Sequence, residues 1–77
     1  NINLKVIMNN TFPDVVNRTH IGIAIEDAGL NYNEIQVNQS KSMNYFSYTI
    51  LLNVESELLM NNLYEKIRKI PGFVMAI

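Results

Sequence analysis

The stretch Tyr45-Phe46-Ser47-Tyr48-Thr49-Ile50-Leu51-Leu52-Asn53-Val54 decides the fold of this chain. Phe46, Tyr48, Ile50, Leu52 and Val54 take one side, and Tyr45, Ser47, Thr49 and Asn53 the other. That period of two is the signature of a strand with one buried face. Just before it, Ile35 and Val37 predict a second short strand, ended by the polar stretch from Asn38 to Asn44. Just after it, Ser56 is placed to cap a helix whose positive first turn favours Glu57. Leu59, Leu63, Ile67 and Ile70 then recur at spacings of four, four and three, an apolar helical stripe. Lys66, Arg68 and Lys69 suit the negative end of that helix, and Pro71-Gly72 stops it. Phe73 to Ile77 reads as a last apolar strand.

The beginning of the chain repeats the same logic. Ile2, Leu4, Val6 and Met8 alternate with Asn3, Lys5 and Asn9, and Ile7 is the one exception. Asn9 to Pro13 reads as a loop, with Thr11 three residues ahead of Asp14 as a capping box. The helix that follows ends at Ala28, with Gly29 in the left-handed position and Leu30 as its hydrophobic partner. The order is therefore βαββαβ, an α+β, ferredoxin-like sandwich. It predicts a four-stranded antiparallel sheet with both helices on one face. The opposite face keeps Ile7, Tyr45 and Leu51, too apolar for a solvated sheet and suited to a partner.

The first helix has an irregularity in its pattern. Ile21, Ala24, Ile25 and Ala28 form one stripe, but its backward extension lands on Asn17 and Arg18 and misses Val15 and Val16. Val16 instead lines up with Ile23 on the opposite side, with His20 and Asp27 between. Either the first turn is irregular and Val15 and Val16 point inward, or the helix offers a second apolar strip to a partner.

Composition narrows the function classes. The chain has 77 residues, room for one domain spanning 1–77, and is 48% hydrophobic with 17% charged residues, a globular balance. A domain this small buries only about 60% of its unfolded surface and gains from an attached domain or partner. The first residue is Asn1, so a piece of a longer chain is expected. A net charge of −1 from scattered basic residues argues against a nucleic-acid surface. The absence of cysteine removes disulfides and thiolate chemistry and fits a cytoplasmic location. No run approaches the ~20 apolar residues of a membrane span, so no membrane partner is expected.

No catalytic residue, metal ligand set or cofactor is expected. His20 is the only histidine, so no His-based metal site can be assembled. Glu26 and Asp27 are adjacent on a helix and diverge by about 100°, too far to flank one bond as acid and base. Ser40-Lys41-Ser42 lies in a polar turn with no base nearby. Tyr45, Phe46 and Tyr48 invite comparison with the stacking strand of an RNA-recognition motif, but the Lys, Arg and Gly residues that motif needs are missing.

Two segments resemble the ACT-domain pattern. Ile21-Gly22-Ile23-Ala24-Ile25-Glu26-Asp27-Ala28-Gly29-Leu30-Asn31 is similar to the family's first helix running into the second strand. Leu63-Tyr64-Glu65-Lys66-Ile67-Arg68-Lys69-Ile70-Pro71-Gly72-Phe73-Val74 is similar to its closing segment. Within the family, the long third strand and the second helix look most like the C-terminal ACT domain of the Rel/Spo (p)ppGpp synthetase/hydrolases, the GTP pyrophosphokinase class. The ACT domain of phosphoglycerate dehydrogenase ends similarly, and small ferredoxin-like bacterial proteins of the lipoate-regulatory type share the topology.

The resemblance implies a non-catalytic regulatory domain in the stringent response, relaying starvation through other domains of a parent enzyme or through ribosome contacts. It implies allosteric regulation, with ACT domains pairing as a homodimer by sheet edge or by helices. The residues it marks for a ligand are Asn10, Thr11, Asp14, Gly29 and Asn31, and the interface candidates are Val16, Ile23, Tyr45 and Leu51. Amino-acid-binding members usually carry a Gly between first strand and first helix, where Asp14 stands here. Free amino acids are therefore expected to bind weakly or not at all. Two other readings are an amino-acid-binding ACT domain of a biosynthetic enzyme and a free-standing ferredoxin-like interaction protein.

Overall fold

The computed structural model describes residues 2–77. Its frame is the pairing of β1 (Ile2–Asn9) with β3 (Tyr45–Leu52), antiparallel and without a slip along its length. Leu4 faces Ile50, Val6 faces Tyr48 and Met8 faces Phe46. Leu4, Val6, Met8, Tyr48, Ile50 and Leu52 are fully buried, so the alternation in the sequence maps onto an inner face. Burying each such side chain contributes roughly 1.5–3 kcal/mol.

β2 (Tyr32–Gln39) adds to the outer side of β3, and β4 (Phe73–Ala76) to the outer side of β1. The sheet order is β2-β3-β1-β4 and every neighbouring pair is antiparallel. The helices α1 (Asp14–Asp27) and α2 (Glu57–Arg68) supply the second layer. Ile21, Ala24, Ile25 and Ala28 of the first helix segment share one core with Met60, Leu63 and Ile67 of the second. The predicted βαββαβ ferredoxin-like fold is the one observed.

Local chemistry explains where the elements stop. After α1, Gly29 has φ +82°, its N–H donates to the Glu26 carbonyl and the Leu30 N–H reaches back to Ile25. That bonding pattern is a Schellman cap, and buried Leu30 closes it as expected. Ser56 caps α2 with its side chain, accepting from the Leu58 N–H at 3.2 Å. Met60, left out of the expected stripe, joins Leu63 and Ile67 in the core.

Three expectations are corrected. The second strand starts at Tyr32, three residues before Ile35, because a register shift between them interrupts the alternation over Asn33 and Glu34. The Thr11–Asp14 capping box does not form. Pro13, extended at ψ 162°, takes the N-cap position with no side-chain cap, which leaves Thr11 two residues outside the helix. The first turn of α1 is regular, so Asn17 goes into the core and Val15 stays 68% exposed. The irregular-turn alternative is thereby excluded, and Val16 and Ile23 share an outward strip.

Gly22 packs against the ring of Tyr32 on the edge strand β2. A Cβ there would collide with Tyr32 Oη, with Tyr32 Cζ 3.2 Å away. In an ordinary helix interior Gly→Ala gains up to about 1 kcal/mol. Here Gly22→Ala is expected to lower the denaturation midpoint, and to lose most of that cost in a Tyr32→Phe background. Strictly additive effects of the two substitutions would show that the ring does not constrain the helix.

Candidate functional site

The best-defined polar constellation sits where β1 passes into α1. Helix α1 opens at Asp14, whose carboxylate suits the positive end of the helix. The strand below presents Tyr48, the one buried aromatic hydroxyl of the core. Tyr48 Oη donates to Asp14 Oδ1 at 2.9 Å, and Arg18, one turn along α1, donates from Nε to the same oxygen at 3.1 Å. Arg18 Nη2 lies 3.0 Å from Asp14 Oδ2. The carboxylate is thus engaged by side chains of its own domain, while 36% of the Asp14 side chain stays exposed. Beside it Asn17 is fully buried, with Nδ2 donating to the Phe12 carbonyl at 3.5 Å. Its Oδ1 accepts no hydrogen bond from the described residues.

The electrostatics follow from this packing. Partial burial raises the Asp14 pKa, but the hydrogen bonds from Arg18 and Tyr48 and the Arg18 charge outweigh it, so the group lies below the ordinary 3.8. Burial pushes the Tyr48 hydroxyl up to about 12, with the Asp14 hydrogen bond and charge adding to the rise while Asn17 and Arg18 oppose it.

The loop polar groups are also committed. Thr11 N–H donates to Asn9 Oδ1 at 2.9 Å, and Asn10 Nδ2 donates to the Met43 carbonyl of the β2–β3 hairpin at 3.3 Å. Asn9 N–H donates to the Gly72 carbonyl at 2.8 Å, which ties the turn before β4 to the same end of the domain. Asn10, Thr11 and Asp14 are therefore brought together. Gly29 and Asn31 are not with them. They lie past the far end of α1, about 20 Å away at 1.5 Å rise per residue. There they line a depression of about 600 Å³ with Glu26, Tyr32 and Asn33.

The interface candidates fall on two separate faces. Val16 is half-buried and Ile23 is 51% exposed on the helix layer. Tyr45, 47% exposed, and Leu51, 56% exposed, lie on the outer sheet face. Met75 and Ile77 also lie on that face, opposite Ile7 and Lys5. Sequence reasoning missed them because Phe73 to Ile77 is apolar nearly throughout, with no alternation to separate its two sides. Among the described residues no group of three or more His, Cys, Asp or Glu is arranged to hold a metal, and no helix is long and apolar enough to cross a membrane.

The family model described as "Protein of unknown function (DUF493)" matches residues 2–77. No curated protein gives a significant match. Two solved structures are similar in fold. The ACT domain from GTP pyrophosphokinase of Chlorobium tepidum is 16% identical with a TM-score of 0.75, over 97% of this chain and 91% of that one. Protein HP0495 from H. pylori is 19% identical with a TM-score of 0.73, over 99% of this chain and 78% of that one. At these identities the likeness is one of fold.

The Asp14 contact carries a pH dependence with a definite sign. Its folded pKa is depressed, so its stabilisation is present above the unfolded value and is lost as pH falls through the folded one, below 3.8. Tyr48→Phe is expected to cost about 1 kcal/mol at pH 7. That cost should shrink as Asp14 protonates. Urea midpoints at pH 7 and pH 3 measure it, and an equal cost at both would show that Tyr48 does not act through the carboxylate.

Proposed function

This chain belongs to the DUF493 family, and we propose that it serves as a non-catalytic regulatory module of ACT-like fold that works through protein contacts and captures no free amino acid. The observation that carries this reading is that the Asp14 carboxylate is already held by Tyr48 and Arg18 of its own domain. A small zwitterion needs its carboxylate met by backbone N–H groups and its ammonium by acceptors in a site closed to water. The loop offers little of either, since Asn9, Asn10 and Thr11 bond within the domain. Apolar side chains stay exposed on both the helix layer and the outer sheet face, which fits a module that binds other proteins.

In its most specific form the reading is a domain of a (p)ppGpp synthetase/hydrolase in the cytoplasm, relaying starvation to catalytic domains or from the ribosome. The likeness to the GTP pyrophosphokinase ACT domain supports it. A second reading is a small free-standing interaction protein. It is favoured by protein HP0495, 78% of which is taken up by the same fold. The intact reading frame distinguishes the two, since flanking catalytic domains belong only to the first.

Isothermal titration with each of the twenty amino acids at millimolar concentration tests the contact-only mechanism. No saturable heat is expected. A dissociation constant below ~100 μM, about −5.5 kcal/mol, would replace it with amino-acid sensing.

A further inference from the structure

We infer that the free edge of β4 is a strand-addition site, and that its occupant is an extended, uncharged segment of another protein laid beside β4 as a fifth strand. The inference gives one protein contact of the regulatory reading its geometry and rests on that reading. β4 is the outermost strand on its side and pairs only with β1. Just past its end, Ile77 exchanges both main-chain bonds with Lys5, donating at 2.8 Å and accepting at 3.2 Å. In an antiparallel ladder, residues that turn their main chain to the neighbour alternate with residues that turn it away. Met75, opposite Ile7, therefore faces β1, and Ala76 turns its N–H and C=O to the open edge. Val74, the extra residue of the irregularity between Ile7 and Met8, has no partner on β1 at all. Water apart, what these groups match is the main chain of another strand.

The two edges of the sheet differ in a way that singles out β4. Natural edges are protected by charge, proline or irregularity. β2, at the other edge, carries Glu34 among the amides Asn33, Gln36, Asn38 and Gln39, and its Tyr32 ring packs on Gly22 of α1. β4 shares with β2 an irregular register but has neither a charge nor a proline. Val74, Met75 and Ile77 are all exposed, an apolar row along the edge that a partner would cover.

A groove of about 480 Å³ runs between this edge and α2, the helix that neighbours β4. Phe73 and Ala76 form its strand side, and Asn61, Tyr64 and Arg68 its helix side. Side chains alternate along a strand, so every second one of an added segment drops into the groove. Main-chain bonds to an edge, with a pocket for alternate side chains, are the means by which extended peptides are held. Charge defines the occupant further. Arg68, the one base of the lining, is already paired with Glu65, its one acid. A charged side chain entering the groove would lose water and gain no free partner, whereas an uncharged chain meets the Asn61 amide without that cost.

The test uses the chain with two synthetic peptides of alternating valine and threonine, one N-methylated along a single edge and the other at every residue. Main-chain bonds supply the affinity of strand addition, so this uncharged sequence serves as the probe. In an amide NMR titration the first peptide is expected to give saturable shifts centred on Val74 and Ala76, and the second to bind roughly tenfold more weakly or not at all. Equal binding of the two would show apolar adhesion without strand pairing and overturn the proposal. No saturable shift with the first peptide up to millimolar concentration would overturn it equally. Ala76→Pro removes an N–H that faces away from β1, a change that edge strands tolerate, and should weaken binding of the first peptide by roughly tenfold. Unchanged binding in a folded Ala76→Pro chain would contradict the assigned edge; where that variant unfolds, the peptide pair on the wild-type chain still decides. Sedimentation checks the other occupant: a dimer of the chain alone that Ala76→Pro dissociates would give the edge to a second copy and overturn the proposal. Saturable heat from a free amino acid would end the regulatory reading without altering the peptide result, so the two failures are told apart.

Discussion

Everything in this domain depends on the unslipped pairing of β1 with β3. Because side chains alternate across a strand, a shift of one residue would turn Leu4, Val6 and Met8 to the outer face, and Tyr48, Ile50 and Leu52 with them if β3 moved. The two helices cover only one face, so such a shift would expose the side chains that now hold the layers together. The edge strands take their register from this pair. β2 follows β3 across a bulge, and β4 follows β1 with an irregularity between Ile7 and Met8. Their tolerance of irregularity is the mark of elements that are positioned by the frame and do not set it.

The same register determines the polar site. Tyr48 lies opposite Val6 on the inner face, so its hydroxyl must find a partner inside the domain. A buried hydroxyl without one costs about 1–3 kcal/mol. Asp14 supplies that partner only because Pro13 starts α1 at the residue above the tyrosine, and Arg18 one turn later balances the charge. The loop between β1 and α1 is closed by this contact from below and by Asn10 and Asn9 from the side. Asn17 is the residue that the arrangement satisfies least. It is carried into the core by helical periodicity, and its Oδ1 has no partner among the described residues.

What the sequence made legible was local. The strand read over Tyr45 to Val54, which the structure ends two residues earlier at Leu52, the Ser56 cap and the Gly29–Leu30 closure each depend on neighbours within a few residues, and the last two stand as read. The stripe of α1 was legible too, including its backward extension onto Asn17, but hydrophobicity argued for Val15 and geometry prevailed. Less was readable where an element depends on a distant partner. The start of β2 is set by its pairing with Leu52, which no window around Tyr32 reveals. The site was half legible: Asp14 and the loop asparagines stood out, whereas Tyr48 read as core alone, 34 residues away from its partner. Gly29 and Asn31 were grouped with them by resemblance, and the length of α1 keeps the two groups apart.

Adjacent residues of β3 test the central claim against each other. Ile50 is fully buried opposite Leu4, while Leu51, similar in size and one position along, is 56% exposed on the outer face. Denaturant unfolding of Ile50→Ala and Leu51→Ala at low protein concentration compares the two faces directly. The account predicts a loss of ~2–5 kcal/mol for the first and under about 1 kcal/mol for the second. Equal losses, or a larger one at Leu51, would mean that the strand does not bury the face assigned to it.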